Sequence, residues 1–177
     1  MSFIIREATA ADVPAIAQLH VDTFIETHGG GPNSPTFELR ERQWREILKA
    51  KDESEFCFVI QGADGRLVGF ARGVPYDDPT PPGFDGLLNK IYILQEFHRQ
   101  GLGRRLVGHV ACRFLSLDVS SMLLFGDADN PSNGFYEVMG AERLITEVGE
   151  FHGGYGWRDL QRLAEVDAVG TFPAHLT

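Results

Sequence analysis

A chain of 177 residues with 43% hydrophobic and 23% charged residues has the composition of one ordinary globular domain. Acidic residues outnumber basic ones by 25 to 16, which argues against a nucleic-acid partner because such binding depends on lysine and arginine neutralising phosphates. No run of about eighteen apolar residues and no charged-then-apolar leader is present, so we expect no membrane contact and a cytoplasmic protein.

Hydrophobic periodicity predicts an α/β chain, since stretches typical of strands are interleaved with stretches of helical period. Predicted strands, in chain order, lie at about 3–8, 56–60, 66–74, 87–94, 121–125, 141–151 and 155–160. Predicted helices lie at about 13–28, 37–50, 101–117 and 131–140. The last two strands would form a closing hairpin around a Gly153-Gly154 turn, and a loose tail would begin at about Ala164.

Local signals support several of these boundaries. Thr9-Ala-Ala-Asp12 predicts a capping box that opens the first helix. The loop at 75–86 holds four of the nine prolines, and a loop of that length between core strands is typically functional. Trp44 lies on the inward face of the second helix and is predicted to anchor the core.

The cysteines and histidines indicate no metal site. Cys57 and Cys112 lie far apart in apolar patterns, which predicts two core thiols in a reducing cytoplasm, with a disulfide as the alternative. The six histidines lack metal-ligand spacing with cysteine or acidic residues, so no metal cofactor is expected.

The most informative stretch follows the predicted strand at 87–94, where Gly101 and Gly103 precede a long helical pattern. Glycine lets the backbone approach a ligand closely, and the first amides of a helix lack partners within that helix. With Arg99, Arg104 and Arg105 nearby, the turn predicts a site for a pyrophosphate. A dinucleotide fingerprint would need a third glycine where Leu106 stands, and the Gly-Lys-Ser/Thr of a P-loop is absent.

Two motifs resemble those of the GNAT superfamily of N-acyltransferases. His98-Arg-Gln-Gly-Leu-Gly103 resembles the family's Arg/Gln-x-x-Gly-x-Gly/Ala signature, with histidine at the first position as a departure. Asn130-Pro-Ser-Asn-Gly-Phe-Tyr-Glu-Val-Met-Gly140 resembles the second hallmark, Asn-Pro-x-x-x-Phe-Tyr-Glu-x-x-Gly. We expect Asn130 to cap a short helix that starts at Pro131 and ends at Gly140.

The resemblance implies a single-domain GNAT fold, in the α/β class, with a mixed central sheet, splayed parallel strands and flanking helices. It implies a domain at 1–163 and a C-terminal tail at 164–177. The implied activity moves an acetyl group from acetyl-CoA to a primary amine by direct attack in a ternary complex. The residues implied to contact acetyl-CoA are Ile91, Tyr92, Ile93, His98, Arg99, Gln100, Gly101, Leu102, Gly103, Arg104, Asn130 and Tyr136.

Within that chemistry, backbone N–H groups near Ile91 and Ile93 would polarise the thioester, and Tyr136 matches the tyrosine that protonates the departing thiolate. The base that deprotonates the amine is less defined. The candidates are Glu26, His28, Asp85, Asp127 and an ordered water, of which Glu26 and Asp85 join Tyr136 as the predicted catalytic residues.

Two other functions stay open from the sequence. One is a non-catalytic acyl-CoA-binding or interaction domain, although such a domain would not need Tyr136. The other is a nucleotide-dependent oxidoreductase, disfavoured by Leu106 and by the strand order. The expected partner is a small-molecule or peptide amine, which an acidic surface would attract weakly, and a homodimer is possible.

Overall fold

The computed structural model describes residues 2–50 and 52–168. Its strands are β1 Phe3–Glu7, β2 Phe56–Gly62, β3 Leu67–Pro75, β4 Gly86–Ile93, β5 Met122–Phe125, β6 Glu142–Ile145 and β7 Phe151–Trp157. Its α-helices are α1 Val13–His28, α2 Phe37–Lys49, α3 Leu102–Ser116, α4 Asn133–Val138 and α5 Gln161–Ala168. The element order predicted from the sequence is confirmed, with α5 added at the end.

The strands form a seven-stranded mixed sheet in the order β1-β2-β3-β4-β5-β7-β6. Strands β4 and β5 are parallel, whereas the pairs β1–β2, β5–β7 and β6–β7 are antiparallel. The parallel register joins Gly86 to Met122 and Leu87 to Leu123, although both strands continue beyond these pairs. The α/β class and the mixed sheet predicted from the sequence are therefore confirmed.

Contacts divide the chain into two compact units. The first unit comprises Met1–Arg72 and Lys90–Leu106, and the second comprises Gly73–Asn89 and Val107–Thr177. Among the residues that the structure describes, no helix is both long and apolar enough to cross a membrane.

The first unit is built around helices α1 and α2. Its core includes Ile16 of α1, Trp44 of α2 and Phe70 of β3, each at most 1% exposed. The predicted capping box is present, but it opens a 3-10 turn, Ala10–Asp12, directly before α1, where the Asp12 carboxylate accepts from the Thr9 backbone N–H at 2.8 Å. Arg6 donates two further 2.8 Å hydrogen bonds to this carboxylate and is the main reason that the pKa of Asp12 falls to about 2.

The second unit is built around β5 and β7, whose antiparallel register pairs Met122 with Trp157. The predicted closing hairpin is correct in kind but wrong in position. Its turn lies between β6 and β7, where Thr146 N donates to Glu150 O at 2.9 Å. Gly153, predicted in the turn, lies within β7 with φ of +87°, and a Cβ there would lie 2.4 Å from the carbonyl oxygen of Gly126. Close backbone approach, not a turn, requires this glycine.

Two further expectations need correction. Helix α5 continues through Ala164, where a loose tail was expected, because Asp159 Oδ1 accepts from Gln161 N at 2.9 Å and Leu163 is buried. The rest of the predicted tail, 169–177, lies outside the described residues, and the domain boundary at 163 stays a prediction.

Cys57 is a buried thiol as expected, but Cys112 is exposed, because it lies on an outward-facing position of α3.

Candidate active site

The turn between β4 and α3 is open at its backbone. Arg99 and Gly101 have positive φ values of 60° and 76°, an alternation found in the nests that bind anions through main-chain N–H groups. A Cβ built on Gly101 would meet nothing within 4 Å, so this side of the turn is accessible to a ligand.

Helix α3 begins directly at this turn, and its first hydrogen bond runs from Arg105 N to Gly101 O at 3.2 Å. Within the described residues, the amide nitrogens of Leu102, Gly103 and Arg104 donate to no protein acceptor. The helix dipole places partial positive charge at the same amides. Three open donors at one helix end therefore form a site suited to a phosphate group.

Side-chain charge at the turn is positive. The exposed side chains of Arg99 and Arg104 form no hydrogen bond or ion pair with any described residue. Glu96 would oppose an anion, but its carboxylate is bound by Arg66 at 2.9 Å. The guanidinium groups of Arg99 and Arg104 are consequently available to a ligand at the turn.

His98 stands where the family signature has arginine or glutamine, and its side chain makes a defined contact. Its Nε2 lies 2.7 Å from the carbonyl oxygen of Ile93, the last residue of β4. Since a carbonyl can only accept, Nε2 carries the hydrogen. His98 thus ties the turn to the end of the strand, and any direct contact of its ring with a cofactor stays a prediction.

Glu26 belongs to the same unit as this turn. Its Oε2 accepts from the backbone N–H of Gln95 at 3.0 Å, which joins the last turn of α1 to the residues after β4. His28, two residues further along α1, packs against Phe24 with ring centroids 4.7 Å apart and the rings tilted by 45°. The side chains of Glu26 and His28 are both exposed.

Asp85 and Asp127 lie in the second unit and both have structural contacts. The backbone N–H of Asp85 donates to Ser121 Oγ at 3.1 Å, and that hydroxyl lies 3.4 Å from the Asp85 carboxylate. These bonds fasten the beginning of β4 to the residue before β5. Asp127 Oδ1 accepts from Asp129 N at 3.0 Å and so closes a turn after β5.

The expectation that Asn130 caps the short helix is wrong. Helix α4 begins at Asn133 with Ser132 as its capping residue. The Asn130 side chain instead accepts from Ser132 N at 2.8 Å and so forms a local turn directly before the helix. Gly140 has φ of 83°, which confirms the predicted left-handed end of this helix.

Tyr136 lies half-buried on α4 against the aromatic residues of β7. Its ring centroid is 5.5 Å from that of Tyr155 and 6.3 Å from that of Trp157. Tyr155 donates to Glu137 Oε1 at 2.8 Å, and Trp157 donates to Met139 O at 3.0 Å. These two bonds fix α4 to β7 and therefore set the position of the Tyr136 ring.

Sequence reasoning missed a polar cluster in the first unit. His20 is 3% exposed, and its Nδ1 accepts from Trp44 Nε1 at 3.1 Å. Burial is the main cause that lowers the pKa of His20 to about 3, and the charges of Arg40 and Lys90 lower it further. The signal in the sequence was a histidine on the apolar face of α1, but its partner lies 24 residues away on another helix.

No group of three or more histidine, cysteine, aspartate or glutamate side chains is placed to hold a metal ion, within the part of the chain that the structure describes.

Comparison with known proteins places this site in a family. A sequence model of the Acetyltransferase (GNAT) family matches residues 13–141. The chain is also 34% identical over 166 residues to the uncharacterized N-acetyltransferase YuaI of Bacillus subtilis (strain 168). This alignment covers 90% of this chain and 95% of that relative.

Solved structures share the fold. The PaiA N-acetyltransferase from Thermoplasma acidophilum, in complex with coenzyme A, aligns with a TM-score of 0.67 and 17% identity, over 88% of this chain and 98% of that one. An N-acetyltransferase from Staphylococcus aureus Mu50 aligns with a TM-score of 0.68 and 20% identity, over 91% of this chain and all of that one (100%). The family match spans more than half of the chain and the YuaI alignment nearly all of it, so this chain belongs to the GNAT family of acetyltransferases.

Proposed function

We propose that the protein transfers the acetyl group of acetyl-CoA to a primary amine by direct attack within a ternary complex. The observation that carries this proposal is the row of open amides at Leu102, Gly103 and Arg104, beside the positive-φ turn and its two available arginines. These donors match the charge and size of a pyrophosphate, which coenzyme A carries.

The diphosphate of acetyl-CoA would lie on the segment from His98 to Arg104, with Arg99 and Arg104 neutralising its charge. The pantetheine arm would then run along β4 toward Ile91, Tyr92 and Ile93. Asn130 keeps its place among the proposed cofactor contacts, although its side-chain oxygen already accepts from Ser132 N.

The thioester carbonyl develops negative charge as the amine attacks, and main-chain N–H groups near Ile91 and Ile93 would stabilise it. The short parallel register of β4 with β5 supports this role, because strands that stop pairing leave amides for a ligand. One such donor is typically worth about 10²–10³ in rate.

Collapse of the tetrahedral intermediate expels the thiolate of coenzyme A. We assign Tyr136 as the donor of a proton or a strong hydrogen bond to that sulfur. A phenol suits the task, because it holds its proton at neutral pH. General acid catalysis of this kind contributes about 10²–10⁴ in rate.

The acceptor must lose a proton before it attacks, because amines are mostly protonated at neutral pH. Glu26 and Asp85 are the proposed bases. Both side chains are exposed, and the contacts favour Glu26, which lies in the unit of the cofactor turn, over Asp85, whose carboxylate lies beside the Ser121 hydroxyl in the second unit. A cytoplasmic location and a homodimer are further proposals.

The test is a thiol-release assay in which acetyl-CoA and a panel of primary amines are incubated with the enzyme. Release of coenzyme A that depends on both the enzyme and the amine would support acetyl transfer. Tight binding of acetyl-CoA with no amine-dependent release across the panel would indicate a non-catalytic acyl-CoA-binding domain instead. A thermal shift with NAD but none with acetyl-CoA would contradict both functions.

A further inference from the structure

Two basic residues lie close together on neighbouring strands of the first unit. Leu94 N donates to Val68 O at 3.0 Å, and the rings of Phe70 and Tyr92 lie 5.5 Å apart, so β3 and β4 are antiparallel here. The register changes by one residue before Tyr76 N donates to Asp85 O, and within this interval the charge of Arg72 of β3 acts on Lys90 of β4. Like charges directly opposite are unfavourable in a sheet unless something compensates them.

A third cation approaches the same face from α2. Arg40 lies one helical turn before Trp44, whose ring is 5.1 Å from that of Phe70. Arg40 Nη1 donates to Gln43 Oε1 at 3.0 Å. Its Nε is buried and has no hydrogen-bond partner among the described residues, so one donor of this guanidinium lacks an acceptor.

The described acidic side chains form an ion pair with only part of this basic group. Arg72 is paired with the carboxylate of Glu55. No described carboxylate forms an ion pair with Arg40 or Lys90, although both side chains are half-buried. Burial lowers the pKa of Lys90, and the charges of Arg72 and Arg40 lower it further.

His20 adds no charge to this group, since it is buried and accepts a hydrogen bond from Trp44. The hydroxyl of Tyr92 is not hydrogen-bonded to any described residue, and the charge of Arg40 acts on both Tyr92 and Lys90. The Nε of Arg40, the ammonium of Lys90 and the hydroxyl of Tyr92 thus lie in one group without acceptors among the described residues, and this is the pattern of a binding site for an oxyanion.

We propose that Arg40, Lys90 and Tyr92, supported by Arg72, bind a carboxylate or phosphate carried by the acceptor amine. This inference rests on the proposed acetyl transfer, because it names the class of amine that would accept the acetyl group. Arginine pairs carboxylate and phosphate through two parallel hydrogen bonds, which suits it to such recognition.

The position of Lys90 on β4 links the anion site to the proposed thioester site. Lys90 directly precedes Ile91–Ile93, whose amides are the proposed holders of the thioester. The proposed acceptor is therefore a small molecule, such as an amino acid or an amino alcohol phosphate, whose amine and anion are separated by a few bonds.

The first experiment measures anion binding without catalysis. Inorganic phosphate is titrated into the enzyme saturated with coenzyme A, so that the pyrophosphate site is filled, and the melting temperature is compared with that in sodium chloride of equal ionic strength. We expect phosphate to raise the melting temperature of the wild type, since a ligand that binds the folded state stabilises it. The shift should disappear in Lys90→Met and in Arg40→Met.

The matched control is Arg45→Met, which removes an exposed arginine on the same helix as Arg40. This variant should keep the phosphate shift. No phosphate shift in the wild type, or equal shifts in wild type, Lys90→Met and Arg40→Met, would overturn the proposal. Either basic variant alone decides the result if the other does not fold.

The second experiment compares acceptors that differ only in the anion. Thiol release is measured with phosphoethanolamine against ethanolamine and with L-alanine against L-alaninamide. We expect the anionic member of at least one pair to have a kcat/KM higher by about tenfold or more. Lys90→Met should remove that preference mainly through KM, and a preference for the neutral amines, or one retained in Lys90→Met, would contradict the proposal.

The two experiments separate the inference from the function on which it rests. If no amine releases thiol, the proposed acetyl transfer fails, and the phosphate titration still decides whether the anion site exists. If amines are acetylated but phosphate does not bind, the acetyltransferase stands and the oxyanion site is wrong.

Discussion

The Nε2 of His98 lies 2.7 Å from the carbonyl oxygen of Ile93 and so joins the cofactor turn to the end of β4. Since this contact needs a hydrogen on Nε2, glutamine can reproduce the donor whereas alanine cannot. We expect His98→Ala to weaken acetyl-CoA binding by about tenfold, the cost of about 1.4 kcal/mol, because the turn loses its anchor.

Isothermal titration of acetyl-CoA into both variants checks this prediction. His98→Gln should bind within a few-fold of the wild type. Equal affinities for His98→Ala and the wild type would show that the ring does not order the turn.

Tyr136→Phe tests the leaving-group role. Removing the hydroxyl should lower kcat by about 10²–10⁴, the range for a general acid, while the affinity for acetyl-CoA stays nearly unchanged. Tyr155→Phe separates the position of Tyr136 from its chemistry: it removes the bond to Glu137 that helps to hold α4 on β7, so the melting temperature should fall, and kcat should fall by less than in Tyr136→Phe because the Tyr136 hydroxyl is kept. A Tyr136→Phe enzyme with wild-type turnover would make that hydroxyl a bystander.

Gly103→Asp tests the open amides. A carboxylate at the first turn of α3 would block the ligand and repel its diphosphate, so acetyl-CoA binding should be lost. Circular dichroism and melting temperature establish that the variant is folded. A folded Gly103→Asp protein that still binds acetyl-CoA would place the cofactor elsewhere.

His20 should make the protein sensitive to mild acid. Its folded-state pKa of about 3 lies below the ordinary 6.5, so the unfolded chain binds a proton that the folded chain excludes. The contribution of neutral His20 to the free energy of unfolding is therefore fully present above pH 6.5. It falls as the pH drops toward 3, by up to about 1.4 kcal/mol per pH unit.

The effect is measured from urea unfolding between pH 7 and about 4.5, above the region in which most carboxylates titrate. His20→Asn keeps an acceptor for the Trp44 N–H but cannot be protonated in this range, so its stability should vary less with pH. A parallel decline in both proteins would assign the acid sensitivity to other groups.

Lys90→Met should stabilise the fold. The half-buried ammonium is repelled by the charges of Arg72 and Arg40 and lacks an ion pair among the described residues, so methionine keeps its packing and removes the repulsion. A gain of about 1 kcal/mol corresponds to about 2–4 °C in melting temperature for a chain of this size. A lower melting temperature than that of Arg45→Met would mean that Lys90 stabilises the free protein.

Features that depend on neighbours in sequence were predictable. The capping contact of Thr9 with Asp12, the glycine turn at Gly101 and the left-handed Gly140 each need only a few adjacent residues. The turn at Gly153-Gly154 was misplaced because glycine serves both turns and close strand contacts, and Gly126, the residue that approaches it, is distant in sequence.

Features that depend on register or on packing between elements were not predictable. The closeness of Lys90 to Arg72 follows from the pairing of β3 with β4, which no local pattern specifies. The hydrogen bond from Trp44 to His20 joins two helices in the same way. Both belong to the cluster from which the anion site is inferred, and this is why the sequence alone did not suggest an anionic acceptor.

The central claim is that the amides at the start of α3 bind the diphosphate of acetyl-CoA. The most direct measurement is a ¹H–¹⁵N NMR titration of the enzyme with acetyl-CoA, with NAD in a parallel sample. We predict that the amide signals of Leu102, Gly103 and Arg104 shift strongly with acetyl-CoA and little with NAD. Unmoved signals at these three residues while acetyl-CoA binds elsewhere, or equal shifts with NAD, would contradict the account.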